Sequence, residues 1–222
     1  CEENGYDFLF TRPTFLGPPD ERIFTPLLVL ARDRNYCGEY AVRLLGALGL
    51  SRVTLHPGFR VRVYLLGGFA AYRGENAIPV NSWRRAKARQ LFQLLLTWRH
   101  SALDRDQILE YLWPEMDPTA AGRNFKVTLN SLYHVLEPDR DPGSESAFIY
   151  RDGSAYSIRP GADLWLDSEQ FADAVGRANV TFSRDPMGAI PALEEALALY
   201  KGDYLPEALY ETWAAGERER LA

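Results

Sequence analysis

The stretch DPTAAGRNFKVTLNSLYHVL, residues 117–136, decides the fold of the middle of this chain. Asp117 is a typical N-cap residue, and Pro118 stands at the first helical position, where proline is well tolerated. Apolar residues then recur with the 3.6-residue period that indicates one buried face of an α-helix. The residues of this face are Phe125, Leu129, Leu132 and Leu136.

Two more helices are predicted upstream of this one. The first starts near Ser82, and the second is capped by Asp104 with Gln107 three residues on, and stops at Trp113-Pro114. The predicted buried stripe of the first helix consists of Ala88, Leu91, Phe92, Leu95 and Trp98.

Strands are predicted on both sides of the three helices. Residues 60–72 alternate, with Gly67-Gly68 as a bulge or turn, and residues 77–80 form a short second strand. Downstream, two short β-type runs flank Asp152-Gly153, which indicates a two-residue hairpin. The predicted order is therefore strands, three helices and a hairpin.

The two ends of the chain are predicted to be helical. The N-terminal helices cover about 24–33 and 37–48, and the C-terminal part starts with a capping box of Asp167 and Gln170. The remaining predicted helices cover 192–201 and 207–222. We expect the chain to be cut from a longer protein at both ends, because the last helical pattern stops without a cap or breaker.

Charge is distributed unevenly along the chain, whose net charge is −5. Residues 60–160 carry 14 Lys and Arg against 11 Asp and Glu, a net charge of +3. Residues 161–222 carry 5 against 12, a net charge of −7. Nucleic-acid-binding proteins are rarely acidic, but the middle of this chain is basic.

The face of the 117–136 helix opposite its apolar residues carries side chains suited to reading DNA bases. Arg123, Val127 and Asn130 follow the helical period, and Lys126 and Ser131 flank them. Such a helix fits the major groove, where arginine matches guanine and asparagine matches adenine. The alternative is an ordinary solvated helix face, which is the rule for amphipathic helices.

Two other sites are candidates for contacts with phosphate. Arg84, Arg85 and Lys87 crowd the positive end of the predicted first helix, where cations are unfavourable unless an anion compensates them. Arg151 stands beside the predicted hairpin turn, where it would lie along the DNA backbone or in a minor groove. A tolerated cluster of surface cations explains the first group equally well.

The sequence gives little support for catalysis, a metal or a cofactor. It contains no GxSxG, Walker A or HExxH motif, and Cys1 and Cys37 form no CxxC pair. No apolar run approaches the length of about 20 residues that crosses a bilayer, and the first residues lack the basic, apolar and small-residue pattern of a signal peptide. We expect a cytoplasmic protein that is not an enzyme and has no membrane partner.

Several segments in this order are similar to those of one regulator family. They are Tyr64-Leu65-Leu66-Gly67-Gly68-Phe69, Trp83-Arg84-Arg85, Leu112-Trp113-Pro114, Phe125-Lys126 and Tyr150-Arg151-Asp152-Gly153. Together they resemble the response-regulator-type winged helix of the Streptomyces antibiotic regulatory protein (SARP) family. Residues 166–171 and 199–205 look like the start of that family's bacterial transcriptional activator domain, which is α-helical and tetratricopeptide-like.

The resemblance implies an α+β winged helix-turn-helix domain over 58–160, followed by a truncated all-α tetratricopeptide-like domain over 161–222. It implies that Arg123, Val127, Asn130 and Ser131 face the major groove. Residues 1–57 look like the end of an upstream helical repeat region of a large ATP-dependent regulator.

The resemblance further implies a transcription activator that binds double-stranded promoter DNA, with direct repeats as the target and RNA polymerase as the partner. Self-association stays open. The alternative is a protein-interaction module of a signalling regulator without strong DNA binding, which the overall acidity of the chain keeps open.

Overall fold

The structure, a computed structural model, describes residues 8–12, 21–83 and 85–222. It mixes helices with two small sheets. The N-terminal helices are α1 (Phe8–Thr11), α2 (Glu21–Asp33) and α3 (Gly38–Ala47). Leu28, Val29, Leu44 and Leu45 of α2 and α3 form an apolar cluster of their own.

The first sheet follows this helical unit. Its strands are β1 (Val61–Tyr64), β2 (Ala70–Arg73), β3 (Asn76–Ala77) and β7 (Leu164–Leu166). They lie in the order β3-β2-β1-β7, with antiparallel pairs except for β1 and β7, which are parallel.

Of the two alternatives predicted for Gly67-Gly68 within 60–72, a bulge or a turn, the structure has the turn. Gly67 and Gly68 form the turn of a β1-β2 hairpin, with φ angles of +81° and +140° that disfavour side chains. The strand expected at 77–80 ends at Ala77, because Val80–Ser82 is a 3₁₀ turn.

The helices that follow are α4 (Ala86–Thr97), α5 (Arg105–Leu112) and α6 (Pro118–Leu136). Helix α4 starts later than predicted, since the 3₁₀ turn occupies the residues before it. It is also buried on more than the predicted stripe, because it lies between α6 and a C-terminal helix, α9 (Thr212–Leu221). Leu94 and Leu96 are therefore buried, whereas Trp98 lies past the helix end and is 38% exposed.

Local signals in this region are confirmed. Asp104 and Gln107 form the predicted capping box at the start of α5. The second sheet consists of β4 (Leu103–Asp104), β5 (Ile149–Asp152) and β6 (Ala155–Ile158), in the order β4-β6-β5. Asp152 pairs with Ala155, so the two-residue loop of the hairpin is Gly153-Ser154 and not Asp152-Gly153.

The C-terminal helices are α7 (Asp167–Phe182), α8 (Ile190–Leu199) and α9, with a 3₁₀ turn at Pro206–Ala208. The capping box predicted for Asp167 is wrong. Its buried carboxylate accepts hydrogen bonds from the backbone N–H groups of Leu65 (2.8 Å) and Leu66 (3.0 Å), just past β1. It also accepts a hydrogen bond from the N–H of Ser168 in its own helix (2.8 Å). The carboxylate therefore fastens the start of α7 to the first sheet, and the N-cap position belongs to Leu166.

The larger apolar core extends from Val61 in β1 to Leu221 in α9. Phe92 of α4, Phe125 of α6 and Trp213 of α9 all belong to it. Helix α9, and Phe171 and Ala172 of α7, are thus joined to α4, α5 and α6 through shared apolar packing. The domain boundaries at 57/58 and 160/161 stay predictions.

Candidate nucleic-acid interface

Helix α6 is fixed in place by its cap and its apolar face. The Asp117 carboxylate accepts a hydrogen bond from the Thr119 N–H (2.8 Å), as the sequence predicted for an N-cap. The predicted apolar face is buried, with Phe125, Leu132 and Leu136 almost fully so. The Phe125 ring meets the Tyr156 ring of β6 edge-to-face, with centroids 5.0 Å apart. Helix α6 and the β5-β6 hairpin are therefore held together by aromatic packing.

The outer face of α6 gathers the residues predicted to read bases. Arg123, Lys126, Val127 and Asn130 are exposed, and Val127 is 47% exposed although it is apolar. Ser131 is half-buried at the edge of this face. Within the described part of the chain, Arg123 and Lys126 have no hydrogen bond or ion pair, so both cations are available to an external anion or acceptor.

The basic cluster before α4 is split by the structure. Arg84 lies outside the described residues. Arg85 is exposed at the N-cap of α4, and its side chain makes no capping hydrogen bond. Lys87 is half-buried, with its Nζ 5.9 Å from the centre of the Trp113 ring at the end of α5. Lys87 is thus directed towards the turn between α5 and α6.

The hairpin tip is tied to the start of α5. The Ser154 hydroxyl donates a hydrogen bond to the Asp104 carboxylate (2.6 Å), and the Arg105 N–H donates to the Ser154 carbonyl (2.9 Å). The hydrogen bond from Ser154 also lowers the pKa of Asp104. This anchoring leaves the exposed guanidinium of Arg151 at the tip, 5.7 Å from the Tyr156 ring centre.

Arg105 is a cation of this region that sequence reasoning missed. Its guanidinium lies against Gly122 of α6, so closely that a Cβ at position 122 would overlap the Nη2 atom. The only signal in the sequence is a glycine in the middle of a strong helical pattern, which often marks a close approach. Nothing in the sequence says which group approaches.

The central helices are joined to the C-terminal helices by polar contacts as well as by the core. Gln93 of α4 donates a hydrogen bond to Glu207 (2.8 Å). Arg99 binds Glu169 of α7 (2.5 Å) and Glu217 of α9 (3.1 Å). Burial tends to raise the pKa of Glu217, but its contacts with Arg220 and Arg99 hold that pKa below the usual range.

A second buried polar cluster joins the N-terminal unit to the first sheet. The Asp163 carboxylate lies 3.2 Å from Nε2 of His56, whose side chain is fully buried, and accepts a hydrogen bond from Arg60 (2.7 Å). Burial tends to raise the pKa of Asp163, but these two partners keep it below its ordinary value. Position 161 must be glycine for the adjoining contact, since its φ is +77° and a Cβ there would overlap the Arg52 carbonyl.

The described residues contain no group of three or more His, Cys, Asp or Glu side chains that could hold a metal ion. In the same ranges, no helix is long and apolar enough to cross a membrane.

Residues 166–222 match the sequence profile of the bacterial transcriptional activator domain. This confirms the predicted similarity to the SARP family of transcription regulators. The match begins at the end of β7 and covers α7, α8 and α9. No curated protein sequence matches the chain.

One solved structure with a similar fold is Mycobacterium tuberculosis EmbR in complex with a low-affinity phosphopeptide. The two chains superpose with a TM-score of 0.59 at 17% sequence identity. The similarity covers 73% of this chain and 42% of that chain, so the matched part spans less than half the length of EmbR. At this identity the comparison concerns the fold, and it supports the mixed helix and sheet architecture.

Proposed function

We propose that this chain binds double-stranded DNA as part of a transcription activator, through a winged helix-turn-helix domain built from α4, α5, α6 and the β5-β6 hairpin. The observation that carries the proposal is the outer face of α6. One face of this helix is held in the core, and the other presents unpaired cations and an amide to solvent.

Helix α6 has the dimensions and the side chains of a major-groove reader. An α-helix with side chains is about 10–12 Å wide and the groove is about 12 Å wide. Arg123 would form a bidentate contact with guanine, Asn130 with adenine, and Val127 would contact a thymine methyl group. Arg123 and Asn130 lie about two helical turns apart, so they would contact different base pairs.

The flanking cations would contact phosphates and fix the register of α6 on the duplex. Arg85 at the start of α4 is suited to this role, and so is Lys87, two residues further on. Lys126 lies beside Val127 at the edge of the outer face of α6. The Arg84 assignment depends on the sequence alone. Arg151 at the hairpin tip would lie on the backbone or in the adjacent minor groove, which makes the hairpin the wing.

Residues 161–222 would form the tetratricopeptide-like helical domain of the activator, in agreement with the match of 166–222 to the bacterial transcriptional activator domain. Residues 1–57 would form the end of an upstream helical unit. A regulator of this kind would act in the bacterial cytoplasm, on direct repeats in a promoter and together with RNA polymerase.

The alternative is a protein-interaction module, which the net charge of −5 favours. Salt dependence separates the two hypotheses. Phosphate contacts make the logarithm of the binding constant fall linearly with the logarithm of salt concentration, by about 0.9 per phosphate neutralised. A protein-docking face need not follow this rule.

The experiment is a selection from a pool of randomised duplexes, followed by fluorescence anisotropy on the selected and a scrambled duplex across a salt series. We expect the selected duplex to bind at least about a thousand-fold more tightly than the scrambled one, the lower limit for specific DNA-binding proteins. We expect a salt slope of several units on both duplexes. If the selection enriches no sequence and a random duplex shows no salt-dependent binding, DNA binding is contradicted and the protein-interaction hypothesis is left.

A further inference from the structure

Arg105 occupies a position that an ordinary surface arginine does not need. It is the first residue of α5, and its backbone is fixed by the hydrogen bond to Ser154 of the hairpin loop (2.9 Å). Its guanidinium lies across the backbone of α6 at Gly122, where any side chain larger than hydrogen would displace it. Three elements of the proposed DNA-binding domain therefore converge on one cation.

The side chain has no acceptor within the described part of the chain. Its Nε is buried and makes no hydrogen bond, and the guanidinium forms no ion pair. The carboxylate of the preceding residue, Asp104, attracts Arg105 electrostatically, but its hydrogen bonds are with the Ser154 hydroxyl and the Asp106 N–H. Two cations also belong to this part of the domain. Lys126 is one helical turn beyond Gly122, and Arg151 lies over the Tyr156 ring that packs on α6. A guanidinium that lies against a helix backbone and has no hydrogen-bond acceptor of its own is suited to an external anion.

The position of Arg105 beside α6, and not on its outer face, indicates that its DNA partner is a phosphate and not a base. Gly122 is buried, whereas Arg123 and Val127 on the outer face of α6 are exposed. When the outer face of a helix enters the major groove, its flanks lie next to the two sugar-phosphate backbones. Arg105 therefore stands at the groove edge between α6 and the wing.

We propose that Arg105 binds a backbone phosphate of the DNA held by α6, and that Gly122 positions its guanidinium for this contact. The proposal rests on the proposed function, since it needs α6 to lie in the major groove. It adds a phosphate contact on the side of α6 next to the β5-β6 hairpin, to which the Arg105 backbone is bonded.

Four variants of the 222-residue chain test the assignment: Arg105→Ala, Gly122→Ala, the double variant, and Arg177→Ala as a control. The control removes one exposed arginine from α7, where it is paired with Glu195. Binding to a random-sequence 30-base-pair duplex is measured by anisotropy across a salt series, with thermal unfolding of each variant followed by circular dichroism.

Arg105→Ala should weaken binding about tenfold and reduce the salt slope by about one unit, because one phosphate contact is lost. Gly122→Ala should reduce both quantities in the same way without removing a charge. Its melting temperature should not fall, since alanine favours the helix and the overlapping atom is the free end of a flexible side chain. Loss of binding without loss of stability excludes misfolding as the cause.

The double variant should bind like Arg105→Ala alone, because the guanidinium that the added methyl group would displace is already gone. Additive losses, or an unaffected Gly122→Ala, overturn the positioning role of Gly122. A wild-type slope in Arg105→Ala, or an equal change in the control, overturns the phosphate contact. A wild-type chain that does not bind the duplex at all overturns the proposed function itself.

Discussion

Replacement of Trp213 by alanine tests whether the C-terminal helices are part of the structure that holds α6. Trp213 lies in α9, is 3% exposed and belongs to the core that also contains Phe92 and Phe125. If this core is one cooperative unit, the cavity that Trp213→Ala leaves in α9 destabilises α4, α5 and α6 as much as α9 itself. The proposed DNA-binding helices would then fold only together with residues 166–222.

The magnitude follows from the buried area. A tryptophan buries about 150–250 Å², which at about 25 cal/mol per Å² corresponds to about 4–6 kcal/mol as an upper limit. Measured Trp→Ala costs of about 3–5 kcal/mol agree with this. For a chain of this size, each kcal/mol lowers the melting temperature by about 2–4 °C. We therefore expect Trp213→Ala to melt roughly 6–20 °C below the wild type.

The assay is thermal and urea unfolding followed by circular dichroism at 222 nm, with Tyr210→Ala as the control. Tyr210 lies three residues before Trp213 but is 94% exposed, so its removal should change stability by no more than about 0.5 kcal/mol. A single transition at lower temperature supports one core. Two transitions, one of them at the wild-type midpoint, or a shift no larger than that of the control, refute the reasoning.

Three further predictions concern the proposed interface and the buried polar cluster of Asp163, His56 and Arg60. Arg123→Ala and Asn130→Ala should each cost about 1–3 kcal/mol on the selected duplex and much less on a scrambled one; an unchanged ratio of specific to non-specific affinity in folded variants removes α6 from base reading. Arg85→Ala should weaken binding to all duplexes alike and lower the salt slope by about one unit; an unchanged slope removes the start of α4 from the interface. Asp163→Asn should flatten the loss of stability in acid. The pKa of Asp163 is lowered in the folded chain, so its contribution is present above the unfolded value near 3.8 and disappears as pH falls through the folded pKa. Urea midpoints of both proteins between pH 7 and pH 2 check this, and parallel curves contradict it.

Sequence reasoning found the elements whose signals are local. The capping box of Asp104 and Gln107 and the Asp117-Pro118 start of α6 are each contained within four residues, so they are readable without the rest of the chain. The apolar period of α6 likewise predicts which face is buried, and hence that Arg123 and Asn130 share the outer face. The residues on the outer face of α6 are neighbours because of helix geometry alone.

Contacts between distant residues were not readable in this way. The sequence around Asp167 matches a capping box, but the folded chain supplies the backbone N–H groups of Leu65 and Leu66, about a hundred residues upstream, as better partners for a buried carboxylate. A local capping signal can thus lose to a distant contact, because buried backbone N–H groups need an acceptor.

The sequence by itself determined the helices, the hairpin and the face of α6 that carries Arg123, because periodicity and capping depend on residues a few positions apart. Only the tertiary structure decided that α4 is enclosed by α6 and α9, and that Arg105 lies on Gly122. The physical reason is that a helix pattern specifies which side is apolar but not which element will cover it. That choice depends on how all the apolar faces of the chain pack at once.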